Sequence, residues 1–62
     1  MNLERANIKI TDICEHIYFF DNVSFDTNVN QTILYIYNKD NKRCAFFMLN
    51  NIVAIEILKT CK

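Results

Sequence analysis

The chain has 62 residues, too few for a nucleotide-binding domain joined to a second unit. Seven Lys and Arg balance seven Asp and Glu, so no net charge draws it to nucleic acid or an anionic membrane. A hydrophobic content of 52 % excludes a disordered chain, and the absence of Gly and Pro excludes glycine-built phosphate loops.

Size and composition pull against each other. A domain of ~60 residues hides only about 60 % of the surface its unfolded chain exposes. This one has nine Ile, five Phe and three Tyr to place. Turns that require positive φ must use Asn or Asp, and nine Asn and four Asp are available. Asn, Ile, Lys, Phe and Tyr make up half the chain. All five have A/T-rich codons, which suggests an AT-rich genome such as a low-GC bacterium, its phage or a mobile element.

Residues 1–62 read as one small β domain with a flexible lead-in over 1–5. The polar start, Met1 to Asn7, lacks the apolar core of a signal peptide. The longest apolar run, Cys44–Leu49, is far below a membrane span. A cytoplasmic location is therefore expected. Ile8-Lys9-Ile10-Thr11 alternates apolar and polar, which predicts a first strand over 6–11. Ile13 to Phe20 fits a helical face or a strand, and the run Ile17-Tyr18-Phe19-Phe20 favours a strand over 16–20. Asp21-Asn22 reads as a two-residue turn and Val23-Ser24-Phe25-Asp26 as a third strand, followed by a loop from Thr27 to Gln31.

Thr32–Tyr37 and Arg43–Leu49 form the clearest hairpin. With Asp40-Asn41 as a type I′ turn, paired residues sum to 81 and Tyr37 faces Cys44. One face then carries Ile33, Tyr35, Tyr37, Cys44, Phe46 and Met48; the other carries Leu34, Ile36, Ala45, Phe47 and Leu49. Neither face is polar, so both should be covered, one by the chain and one by a partner. After a turn at Asn50-Asn51, the β-branched residues of 52–59 predict a last strand, with Val53, Ile55 and Ile57 on one face. The expected fold is all-β: an antiparallel meander of five or six short strands, rolled or barrel-like, and oligomeric. At fold level it is compatible with Sm-like or OB-like small barrels.

The search for chemistry returns little. Cys14 and His16 would share a strand face, but there is no glycine for a tight oxyanion turn, so the pair reads as a half-buried strand edge. Three widely spaced Cys make neither a disulfide framework nor a zinc site, and buried thiols are the better reading. No enzyme activity, cofactor or metal is expected. The expected function is a non-enzymatic binding protein working through protein–protein contacts, in its concrete form a phage or mobile-element inhibitor of a host defence protein. Its partners are a host protein and its own copies. Tyr35, Tyr37, Phe46 and Met48 are the expected oligomer interface, with Ile55 and Ile57 as a second set. The alternative is a nucleic-acid or nucleotide-binding small barrel using Lys39, Lys42 and Arg43 beside Tyr35 and Tyr37. A third reading is an accessory subunit of a larger assembly.

Overall fold

The computed structural model describes residues 4–61. Five strands, β1 (Arg5–Asp12), β2 (Ile17–Thr27), β3 (Ile33–Tyr37), β4 (Arg43–Met48) and β5 (Ile52–Cys61), form one antiparallel sheet. A single 3-10 turn, Leu49–Asn51, joins the last two. The spatial order is β4-β3-β2-β1-β5, so the fifth strand returns beside the first and the sheet does not close. Of the expected lead-in, Met1 to Leu3 lie outside the described residues, whereas Arg5 already opens β1.

β2 overturns one expectation. Asp21-Asn22 is no turn, and the two strands expected on either side of it are one strand of 11 residues. Its first part pairs with β1 and its second with β3. Ala6 stands opposite Val23 but Ile8 stands opposite Phe20, so Asp21 and Asn22 together face Asn7 in a β-bulge. Asn22 sits at φ 56°, in the left-handed region that Asn tolerates better than most residues. Its N–H donates to Asn7 Oδ1 at 2.9 Å, and Arg5 Nε–H donates to Asn22 Oδ1 at 2.9 Å. The extra residue switches which side chains point inward. Tyr18 and Phe20 face the core before the bulge, and Val23 and Phe25 after it.

Across this bulge the sheet folds over onto itself. Tyr18 and Phe20 meet Phe47 of β4 edge-to-face, at centroid separations of 5.1 and 6.0 Å. Between the two halves lie Ala6, Ile8, Ile10, Val23, Leu34 and Ile36, all buried, with Ala45, Leu49, Ile52 and Ile55 packed around them.

Three hairpin turns share one construction in place of glycine. Each begins on Asp or Asn: Asp12, Asn28 and Asn38. In each, the residue three further on donates its N–H to that first carbonyl at 2.9–3.0 Å. This same residue takes positive φ: Glu15 at 66°, Gln31 at 56° and Asn41 at 62°. The side-chain oxygen of the first residue accepts the N–H of the residue four further on, His16, Thr32 or Lys42, at 2.7–3.0 Å. Asp40-Asn41 is therefore not a two-residue type I′ turn. The loop is three residues long and carries a bulge. The expected pairing holds for Ile33–Met48, Leu34–Phe47, Tyr35–Phe46 and Ile36–Ala45, whereas Tyr37 faces Arg43 instead of Cys44.

The last strand runs as expected but is not regular. Val53 and Leu58 have no counterpart on β1 at its two register shifts, and Val53 is exposed where Ile55 packs on the core. Ile55 lies opposite Ile10 and packs on the core, and Ile57 lies opposite Ile8 at the exposed rim.

Candidate functional site: the outer face of β3 and β4

Alternation along β3 sends Leu34 and Ile36 inward and Ile33, Tyr35 and Tyr37 outward. On β4, Ala45 and Phe47 pack inward, while Phe46 and Met48 are 63 % and 45 % exposed. Cross-strand pairing sets these side chains in rows: Asp26–Tyr35–Phe46, then Ile33–Met48, with Ser24–Tyr37–Arg43 at the other end. Tyr35 and Tyr37 lie 6.4 Å apart, ring to ring. The Arg43 guanidinium lies over the Tyr35 ring, 4.1 Å from its centroid, in a cation–π contact. The result is a shallow apolar strip with one cation at one end and the Asp26 carboxylate beside it.

The structure brings together Tyr35, Tyr37, Phe46 and Met48, the first expected interface set. Ile55 and Ile57 belong elsewhere, on β5, and Ile55 is engaged in the core. Of the expected basic contacts, Lys39 and Lys42 stand exposed in the hairpin loop, and Arg43 has folded away from them onto Tyr35. Sequence reasoning missed further exposed apolar residues, among them Val29 and Leu58. Ile17 and Phe19 lie on the outer side of the first half of β2, Phe19 next to Lys9, which pairs with Glu56 at 3.8 Å. Ile13 and Val53 are exposed near the turn at Asp12. No alternation of polarity marks Ile17 and Phe19, because Ile17, Tyr18, Phe19 and Phe20 are all apolar or aromatic.

The Cys14–His16 region is a turn and not a strand edge, and both side chains are exposed. Asp12 organises it. Its Oδ1 accepts the N–H groups of Cys14 and His16, each at 2.9 Å, and its Oδ2 accepts the Tyr18 hydroxyl at 3.1 Å and lies 3.4 Å from His16 Nδ1. Loss of solvent pushes the Asp12 carboxyl up, but hydrogen bonds from the His16 amide, the Tyr18 hydroxyl and the Cys14 amide, with the nearby His16 ring, outweigh that and hold it below 3.8. The same hydrogen bond to Asp12, then loss of solvent and the carboxylate's charge, raise the Tyr18 phenol above 10.0. These contacts tie Asp12 to the turn and to Tyr18 of β2. Cys14 and Cys44 are exposed and Cys61 is half-buried, against the expectation of buried thiols. Among the described residues, no three His, Cys, Asp or Glu gather to hold a metal ion. No helix there is long and apolar enough to cross a membrane.

Comparison of the chain with protein-family models, with curated proteins and with solved structures finds no match.

Proposed function

We propose that this chain is a non-enzymatic binding module that acts by covering a surface of another protein, with the outer face of β3 and β4 as its contact surface. The observation that carries this reading is the strip of Tyr35, Tyr37, Phe46 and Met48 on the solvent side of the β3–β4 ladder. Aromatic side chains, Met and Arg are the residues enriched where protein surfaces meet, and Tyr35, Phe46, Met48 and Arg43 supply all of these chemistries. A module of this kind inhibits by occlusion, the mode expected of a short phage or mobile-element inhibitor of a host protein.

One contact favours a second reading. Arg43 stacked on Tyr35, with Lys39 and Lys42 free in the adjoining loop, is the pairing of cation and ring that small barrels of the Sm-like or OB-like type use for single strands. Asp26 beside the same ring and the zero net charge weigh against it.

The test is affinity capture from a lysate of the source cell, with and without nuclease, comparing wild type with Tyr35→Lys. A protein retained by wild type after nuclease treatment and lost with Tyr35→Lys supports the first reading. Capture that disappears with nuclease, and steeply salt-dependent binding to an oligonucleotide, moves the assignment to nucleic acid.

A further inference from the structure

The sheet has two free edges, and they are not alike. β5 carries two bulges, at Val53 and Leu58, and two charges, Glu56 and Lys59. Bulges and charges are the devices that keep an edge from pairing with another strand. β4 carries its one bulge and its one charge at its start, at Cys44 and Arg43. From Ala45 to Met48 it is regular, uncharged and free of proline.

The direction of its free backbone groups follows from the ladder. Leu49 N–H donates to Thr32 O at 2.9 Å, so Thr32–Leu49 is a hydrogen-bonded pair. Alternation then makes Leu34–Phe47 and Ile36–Ala45 hydrogen-bonded, and leaves Ile33–Met48 and Tyr35–Phe46 as non-hydrogen-bonded pairs. The N–H and C=O of Phe46 and Met48 accordingly point away from β3, toward the open edge.

We propose that β4 pairs antiparallel with β4 of a second copy, about a two-fold axis at Phe46. This deepens the reading above by naming one partner, the chain itself. In this register residue numbers sum to 92 across the axis. Phe46 meets Phe46 of the other copy and exchanges both backbone bonds with it, and Met48 lies opposite Cys44. On the core side, Ala45 lies opposite Phe47, so a small side chain meets a large one at both crossings. On the outer side, Phe46 of each copy prolongs the row that ends at Tyr35, and the two strips become one surface. Zero net charge leaves no repulsion between copies to oppose the pairing. The result is a ten-stranded sheet with isologous contacts.

The experiment places single cysteines in a chain whose Cys14, Cys44 and Cys61 are Ser. Facing residues of a hydrogen-bonded antiparallel pair have Cα atoms about 5.5 Å apart, within disulfide range. Phe46→Cys should therefore cross-link to a covalent dimer under mild oxidation, and Glu56→Cys on the β5 edge should not. Restoring Cys44 alone should give no cross-link, because it faces Met48. Phe46→Pro tests the same axis without cysteine: the lost N–H is not one that β3 uses, so the fold should survive as a 7.4 kDa monomer by sedimentation. Should Phe46→Pro fail to fold, Phe46→Lys gives the same reading of mass. A wild-type monomer at micromolar concentration, or cross-linking from Glu56→Cys equal to that from Phe46→Cys, overturns the proposal. Partner capture that depends on Tyr35 would still stand in either case, because Tyr35 lies on β3 and not on the edge.

Discussion

The half of the sheet built from β1, β5 and Ile17–Val23 and the half built from Ser24–Thr27, β3 and β4 close over one core, yet they are made differently. In the first, register shifts interrupt both ladders, and side chains stitch the irregularities: Arg5 to Asn22, Asn22 to Asn7, and the Cys61 thiol 3.5 Å from Asn7 Oδ1. Its outer side is interrupted by charge, with Lys9 set between Phe19 and Glu56. In the second half, the ladder is regular beyond its first residues, and the outer side is aromatic. Strand irregularity and the outer aromatic strip thus lie in separate parts. The irregular half bends the sheet, and the regular half presents a surface.

Breaking the shared core should have the largest effect. Ile8 and Ile36 come from opposite halves and both are fully buried. Either Ile→Ala change should cost about 2–5 kcal/mol. A domain this small has stability near the low end of the ~5–15 kcal/mol range, so both variants should lose their cooperative melt in circular dichroism. Phe19→Ala and Phe46→Ala, on the two outer sides, should each shift monomer stability by no more than about 0.5 kcal/mol.

The turns come next. Asn28→Ala and Asn38→Ala each remove an oxygen that accepts two backbone N–H groups, of Thr32 and Ile33 in one case and of Asp40 and Lys42 in the other. A loss of about 1–2 kcal/mol is expected for each, read as a fall of several degrees in Tm. Equal stability in the Ala variants would show that backbone hydrogen bonds alone hold these loops.

Much of the second half was legible in the sequence, and the reason is its regularity. Ile33 to Ile36 and Ala45 to Met48 pair without interruption, and a turn centred on Asp40-Asn41 puts those four pairs in register; the real loop centres on Asp40, and the bulge at Cys44 adds the one residue that restores the same sum. The turn was misread because Asn38 sets the loop from outside it: its side chain makes Lys39–Asn41 a three-residue loop, and no dipeptide rule registers that. In the first half, the step from Tyr18 and Phe20 to Val23 and Phe25 is a slip of one residue in an alternating pattern. A slip of that kind fits a turn or a bulge equally, and Asp21-Asn22 has the composition of a turn. Pairing with Asn7, 14 residues earlier in sequence than Asp21, decides between them. The outer strip was visible only as a hairpin apolar on both faces, and which face turns outward depends on β2 folding over β4.

Smaller effects sharpen the contrast between turns. Glu15 and Gln31 hold positive φ without being Gly or Asn, at a cost of roughly 1–2 kcal/mol each. Glu15→Gly and Gln31→Gly should raise Tm, and Asn41→Gly should raise it less, because Asn already tolerates that conformation. A fall in Tm with all three would contradict the turn geometry.

The pH dependence should be smallest, and it belongs to the first half alone. The Asp12 carboxyl sits below 3.8 in the fold, so its contribution is complete above that pH and is lost as pH falls through its lowered value. The Tyr18 phenol sits above 10.0, so its contribution is complete below that pH and is lost as pH rises through its raised value. Tyr18→Phe should move the Asp12 titration upward, followed by carboxyl NMR.

The bulge at Asn22 has a consequence for how this chain tolerates change in length. β2 behaves as two messages in different phase, joined by one spacer letter. Deleting Asn22 would bring Tyr18, Phe20, Val23 and Phe25 into a single unbroken alternation, and every apolar residue would still find the inner side. What would vanish is the bend. A straight strand cannot serve β1 at one end and β3 at the other while carrying Tyr18 and Phe20 over Phe47. A substitution here should cost only the positive-φ preference and the Arg5 contact, about 1–2 kcal/mol, whereas a one-codon deletion should be severe, although by hydrophobic pattern alone the deleted sequence is the better-looking strand.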